Sequence, residues 1–372
     1  MKSIKLLIVA GARPNFMKVK PLMKEIAEYN ALRAPDALKI HMLLIHTGQH
    51  YDENMSDVFF RELGIRKPDI NLGVGSGSHA VQTAQIMMAF ETVCQREKPD
   101  WVVVVGDVNS TMACTLVCAK IGIRVAHIEA GLRSFDRTMP EEINRLVTDA
   151  LADLLLTPSE DADENLIREG ISRDKIKFVG NIMIDSLLEN LPKARSNDIL
   201  TQLKLDLGRF VYVTLHRPAN VDRQSSLSII MAVLEQLSGR LPVVFPIHPR
   251  TRKMLSEFDL APRLDSHLLL LEPIGYHDSL CLTENARLVL TDSGGLQEEA
   301  TFFRTPCLTL RPNTERPITI TLGSNRLTKL ECLIGDVDEA LNGPERKGVL
   351  PPLWDGHTAE RTLRHLLAAS SE

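Results

Sequence analysis

The chain has 372 residues, of which 44% are hydrophobic and 24% charged, and its formal net charge is −5 at pH 7. That length favours two domains over one core. A modest negative charge with no basic block argues against a nucleic-acid partner, and no apolar run reaches the roughly 20 residues needed to cross a bilayer, so no membrane partner is expected.

Short apolar runs alternate with longer amphipathic segments throughout. Ile4–Ala10 has a basic start but runs into Gly11-Ala12-Arg13-Pro14 without a cleavage site, so it reads as a first buried strand of a cytoplasmic protein, not a leader. The turn after it lacks GxGxxG, which disfavours a dinucleotide cofactor. Arg13 and Lys18 read as cations aimed at an anion, although Lys18 alone would equally suit a solvated helix face. The run His41–Ile45 ends in His46-Thr47-Gly48-Gln49-His50, with His50 as a candidate ligand for substrate. Trp101–Val105 ends in Gly106-Asp107, where Asp107 is either an acid/base group or a helix cap. Arg124–Ile128 leads to Glu129, an expensive place for a carboxylate without a purpose, and then to Gly131-Leu132-Arg133-Ser134. Pro140-Glu141-Glu142 opens a helix with two acids, which also complement the helix dipole. Together Asp107, Glu129 and Glu141 are the raw material for moving a proton on and off carbon. Leu154–Leu156 follows, and the acids Asp161 and Asp163 behind it read as helix capping, not as a metal site.

The seam falls between Val179 and Leu207 around a polar helix, Asp185–Leu203, which sets domains at 1–185 and 186–372 with the last helix packing back on the first. Beyond it, Phe210–Thr214 ends in His216-Arg217, Val243–Ile247 in His248-Pro249-Arg250, and Leu268–Leu271 in a loop carrying Tyr276. Arg287–Thr291 feeds Asp292-Ser293-Gly294-Gly295 and a helix bearing Glu298 and Glu299, and Cys307–Leu310 precedes Arg316. A strand, a glycine turn and a helix N-terminus let a phosphate approach unpaired N–H groups and the positive end of the dipole, although Gly-Gly also serves ordinary tight turns. Continuous apolar strands alternating with helices predict an α/β fold with parallel sheets, and two such units predict a cleft between sheet edges where strand-end residues meet a ligand. The six cysteines show no paired CxxC spacing and read as buried free thiols, with no metal site expected.

In order, the motifs are GxRP, GQH, GD followed by ST, HIEAGLRS, PEEINR, GN followed by Ile184-Asp185, LHR, IHP, TDSGGLQEE, TERP and GSNRL. On these the chain resembles the non-hydrolysing UDP-N-acetylglucosamine 2-epimerase family from its first strand through about Leu327. The resemblance implies two Rossmann-like domains in a glycosyltransferase-B-like fold with an interdomain active-site cleft, UDP on the second domain and the sugar toward the first. It implies reversible epimerisation at carbon 2 of a UDP-2-acetamido sugar, by elimination of UDP to a 2-acetamidoglucal and re-addition, with no metal and no cofactor. Asp107, Glu129 and Glu141 are then the acid/base candidates and His216 stands by the leaving diphosphate. Arg13 and Lys18 sit at the sugar-phosphate end, and Ser293, Gly294, Gly295 and Glu299 hold phosphate and ribose. His50, Arg133, Arg217, His248, Tyr276 and Arg316 complete the expected binding set. A hydrolysing 2-epimerase, a 2,3-diacetamido uronic acid as the sugar, a glycosyltransferase and a non-catalytic nucleotide-sugar sensor are the alternatives; the last two have no need of the three acids. The expected assembly is a homodimer acting on a small-molecule UDP-sugar.

The chain departs from the family pattern at four places. Asn15 stands where many members have Glu, Ser279 where many have an aromatic residue, and the loop from Arg133 to Pro140 is short. Gly73–His79 lacks the glutamine-bearing stretch of allosteric bacterial members, so substrate-activated regulation is not implied.

Overall fold

The computed structural model describes residues 3–48, 64–260, 267–343 and 348–371, with the side chain of Arg13 also left out. The chain divides into two compact units, Met1–Ser186 with Pro352–Glu372, and Leu187–Pro351.

Among the described residues the first unit holds a seven-stranded parallel sheet in the order β3-β2-β1-β4-β5-β6-β7. Its strands are β1 (Ser3–Ala10), β2 (Lys39–His46), β3 (Ile70–Asn71), β4 (Trp101–Val105), β5 (Arg124–Ile128), β6 (Leu154–Thr157) and β7 (Ile176–Phe178). All five residues of β4, Trp-Val-Val-Val-Val, are buried, as a strand covered on both faces requires. Val102 and Val104 join Leu7 and Val9 in a core closed by Ile86 and Phe90 of the helix His79–Glu97 and by Cys114 and Cys118 of the helix Asn109–Ile121. Strand order reverses between β1 and β4, so the turns at Gly11 and Gly106 leave adjacent strand ends at the point where such sheets bind ligands.

The second unit repeats the plan with β8 (Val211–Thr214), β9 (Val243–Pro246), β10 (Leu268–Leu271), β11 (Leu288–Thr291), β12 (Cys307–Leu310) and β13 (Asn325–Thr328). Their order is β10-β9-β8-β11-β12-β13, again all parallel, and the reversal now lies between β8 and β11. This is the α/β architecture of two Rossmann-like sheets expected from the sequence.

Three strands, β3, β7 and β13, have no counterpart among the expected apolar runs. They hold two to four residues each, and neither Ile-Asn nor Asn-Arg-Leu-Thr carries an apolar signal long enough to read. The seam helix is Ile182–Arg195 followed by a single turn, Ile199–Gln202, instead of one helix over Asp185–Leu203. It starts earlier because the Asn181 side chain accepts the amide of Met183 at 2.9 Å. Five cysteines are buried as expected, but Cys332, just before the helix Leu333–Asn342, is exposed.

Asp185 explains the GN-x-x-ID motif. Its carboxylate accepts the amides of Thr358 (3.2 Å) and Ala359 (2.8 Å), so a side chain of the seam helix caps the C-terminal helix Thr358–Ala369. Asp185→Ala leaves two buried N–H groups without acceptors, and we expect a loss of about 1–3 kcal/mol in urea unfolding, with earlier proteolysis of the C-terminal helix. An unchanged midpoint would remove this anchoring role.

Candidate functional site

The switch point of the first unit gathers charge. Glu129 leaves β5 with φ 68, a left-handed conformation unusual for a non-glycine residue, and its Oε2 lies 2.5 Å from Lys18 Nζ. Lys18 projects from the helix Arg13–Leu32, and both side chains are almost wholly buried. Gly106 lies beneath the pair: with φ +70, a Cβ there would come within 3.3 Å of Lys18 Nζ and 3.4 Å of Glu129 Oε2. Asn15 supports the turn by accepting the amides of Gly11 (3.1 Å) and Ala12 (2.9 Å) and donating to the carbonyl of Val105. A glutamate there could not make that last bond, since an ionised carboxylate only accepts.

Asp107 follows, with its side chain 30% exposed and its Oδ2 held 2.7 Å from Arg145 Nη2. Arg145 is buried and its Nη1 lies 2.6 Å from Glu142 Oε2. Glu142 also accepts the amides of Ser134 and Phe135 and the Ser134 hydroxyl, each at 2.9 Å. Of the two acids that open the helix Pro140–Leu151, Glu142 is therefore committed to folding the preceding loop. Glu141 is half-buried and carries no hydrogen bond or ion pair among the described residues. Beneath this layer, His127 Nδ1 lies 2.6 Å from Asp149 and Nε2 lies 2.9 Å from the Gly106 carbonyl, all fully buried.

In the second unit Ser293 is the residue before the helix Gly294–Phe303, and its hydroxyl makes no cap. The first-turn amides of any helix lack intrahelical acceptors, so Gly294 and Gly295 offer N–H donors at a half-exposed surface. A Cβ at Gly294 would meet Arg316 Nη1 at 2.9 Å, so glycine is required for the Arg316 guanidinium to lie against the turn. Arg316 is held there by Glu298, 2.7 Å from its Nε, and by Glu315. Glu299, one turn in, is buried, and that burial, reinforced by the neighbouring Glu298, pushes its carboxyl up to about 8 against an ordinary 4.5, with the nearby Tyr276 hydroxyl pulling the other way. Burial, with the Glu299 carboxyl beside it, raises the Tyr276 hydroxyl as well. His216 and His248 stand 5.9 Å apart by ring centroids, and the Asp292 carboxylate lies 3.1 Å from His216 Nδ1.

A family model, UDP-N-acetylglucosamine 2-epimerase, matches residues 32–367. The chain belongs to this family. It is 43% identical to the UDP-N-acetylglucosamine 2-epimerase of Methanocaldococcus jannaschii over 98% of this chain and 99% of that one. It is 42% identical to the UDP-2,3-diacetamido-2,3-dideoxy-D-glucuronate 2-epimerase of Pseudomonas aeruginosa over 87% of this chain and 88% of that one. Among solved structures it is similar to the Methanocaldococcus jannaschii UDP-GlcNAc 2-epimerase in complex with UDP-GlcNAc and UDP, with a TM-score of 0.86 and 42% identity, over 98% of this chain and 100% of that one.

Within this family framework several expected site residues take different partners. Arg133, expected at the substrate, is 2% exposed, with Nη1 2.7 Å from Asp149 and a fork onto Glu169. Lys18, expected at the sugar-phosphate end of the substrate, is paired with Glu129. Arg250 is tied to Asp222 across an exposed pair, whereas Arg217 donates from Nε to the carbonyl of Asp292 at 3.0 Å. Ser279, in place of an aromatic residue, shares a 2.9 Å hydrogen bond with the Tyr212 hydroxyl. Arg13 is the first residue of the helix Arg13–Leu32, and His50 lies outside the described residues. The reading from sequence missed Arg145, Asp149 and Asp292. Asp292 stands just past an apolar strand, a signal by which it could have been found, whereas Arg145 and Asp149 lie in a helix with other charged residues and carry no such signal.

Proposed function

We propose that the protein interconverts a UDP-2-acetamido sugar and its carbon-2 epimer. The observation that carries the proposal is Glu129: a buried carboxylate in strained backbone at a sheet switch point, paired with one lysine and seated over a glycine. A carboxylate of the set Asp107, Glu129 and Glu141 removes the proton from carbon 2 while the carbon 1–oxygen bond breaks. Its electron pair leaves with UDP, and a carbon 1–carbon 2 double bond forms. Re-addition of UDP at carbon 1, with a proton delivered to the other face of carbon 2, completes the inversion. That proton is weakly acidic, so the reaction depends on stabilising the departing diphosphate. Preset N–H donors of the Gly294–Gly295 turn and His216 are suited to that task, each such donor being worth about 3–4 kcal/mol in comparable sites. In this reading Glu299 takes the ribose, and a homodimer in the cytoplasm is the expected setting.

Turnover in deuterium oxide tests the reaction: epimer and recovered substrate should both gain deuterium at carbon 2. Full retention of the original hydrogen would exclude proton abstraction there. The relatives include enzymes named for UDP-N-acetylglucosamine and for a UDP-2,3-diacetamido uronic acid at nearly equal identity. Comparing kcat/KM for these two sugars assigns the substrate, and a burst of free UDP with free sugar would favour the hydrolysing alternative.

Glu299 supplies a pH prediction. A ribose diol donating to its carboxylate favours the charged form, so UDP binding at pH 7 should expel most of one proton. Calorimetry in two buffers of different ionisation enthalpy reads that proton, and Glu299→Gln abolishes it. Without ligand, the folded-state value lies above the unfolded one, so the stability this group contributes is complete below about pH 4.5 and is lost as pH rises to about 8. Glu299→Gln should thus stabilise the free protein by roughly 3–5 kcal/mol above pH 8 and change little below pH 4.5. A UDP-linked proton that survives the substitution would take Glu299 out of the ribose site.

A further inference from the structure

We propose that Asp292 is a positioning residue for His216: its buried carboxylate holds the imidazole with Nδ1 protonated and leaves Nε2 as the ring's open position. The inference rests on the reading that His216 serves the leaving diphosphate. Strands β8 and β11 pair with Thr214 opposite Thr291, so the residues that follow emerge side by side at the switch point of the second unit. The Asp292 amide donates to the Thr214 carbonyl at 3.1 Å, which locks the two strand ends together. Its carboxylate then accepts the amide of His216 at 3.1 and 3.2 Å, that of Arg217 at 2.9 Å and the Asn220 side-chain amide at 3.0 Å. The fifth contact, from Oδ1 to His216 Nδ1 at 3.1 Å, is the one that reaches an exposed group: Asp292 is 0% exposed and the imidazole 45%.

The contact is an ion-pair distance and not a directed hydrogen bond, but a ring lone pair facing a carboxylate oxygen at 3.1 Å is repelled by it, so the tautomer with the hydrogen on His216 Nδ1 is the favoured one. The remaining nitrogen, Nε2, can then give or take a proton, and any positive charge formed on the ring is balanced by the carboxylate behind it. His248 nearby is held differently. Its Nδ1 accepts the amide of Arg250 at 3.2 Å as a helix cap, and burial together with the adjacent His216 disfavours its charged form. One imidazole of the pair is thus backed by a carboxylate and the other by an amide. Asn cannot replace Asp292 silently: with its oxygen kept on the three N–H groups that reach Oδ2, its uncharged NH2 would face His216 Nδ1 in place of a carboxylate oxygen.

The test combines tautomer and kinetics. Nitrogen-15 NMR of the full chain should show His216 protonated at Nδ1, and a ring protonated only at Nε2 would overturn the proposal even if variants fail to fold. In kinetics, Asp292→Asn should lower kcat about 100-fold while KM and UDP affinity stay within about threefold. In a His216→Ala background the same substitution should cost less than about twofold more. Equal losses in both backgrounds would make Asp292 a loop brace and overturn the positioning role alone. Near-normal turnover in His216→Ala would overturn the diphosphate reading of His216 and the positioning role with it.

Discussion

Glu129→Gln should lower turnover by at least about 100-fold, the scale expected when a positioned acid/base group is lost. The amide keeps the shape of the side chain, so the left-handed turn after β5 survives, but the group can no longer take a proton from carbon. It also leaves Lys18 without its counter-charge, and breaking a buried pair by removing one partner costs about 3–5 kcal/mol. Stability and catalysis must therefore be separated. Adding Lys18→Met removes the orphaned cation and should recover most of the melting temperature without recovering turnover. UDP affinity should stay within about threefold of wild type, because the residues proposed to hold the nucleotide belong to the other unit. A folded Glu129→Gln protein with near-normal turnover would return Glu129 to a purely structural pairing with Lys18.

Arg145→Met is the second large effect, and it acts on folding first. Arg145 bridges Asp107 and Glu142, and Glu142 is 1% exposed while organising the Ser134–Phe135 backbone. Methionine fills much of the volume but leaves Glu142 as an unbalanced buried charge, so we expect a loss of about 3–5 kcal/mol, read from the urea midpoint. Turnover of the folded fraction should also fall, since Asp107 loses the guanidinium that fixes its Oδ2. Adding Glu142→Gln should restore part of the stability and none of the Asp107 placement. If Arg145→Met unfolds like wild type, the triad contributes nothing and the loop is held by its other contacts.

Much of this molecule was legible in the sequence for one physical reason: strands buried on both faces must be continuously apolar, and the turns that follow them must be polar or glycine-rich. Ten apolar runs therefore marked ten strands, and the residues just beyond them marked both switch points, including Asp107, Glu129, His216 and the Ser293-Gly294-Gly295 turn. The same rule is silent about strands as short as Ile-Asn or as mixed as Asn-Arg-Leu-Thr, so β3 and β13 went unread, and β7 showed only as a strand ending at the seam. It is also blind to chemistry within a motif. Pro140-Glu141-Glu142 looks like two equivalent acids, yet only Glu142 is buried under Arg145.

Sequence by itself determined the α/β class, the two-unit plan, the family and the positions of the charged strand-end residues, because these follow from local periodicity and from short motifs. Tertiary structure alone decided which charges neutralise each other. Lys18 meets Glu129 across 111 residues, His216 meets Asp292 across 76, and Asp185 caps a helix 174 residues away. Arg133, which the motif offered to the substrate, is paired with Asp149 and Glu169. Such pairings depend on strand order and register, which set strand ends side by side regardless of separation along the chain. A buried charge takes whichever counter-charge that register delivers, since leaving it unpaired would cost more than any local preference supplies.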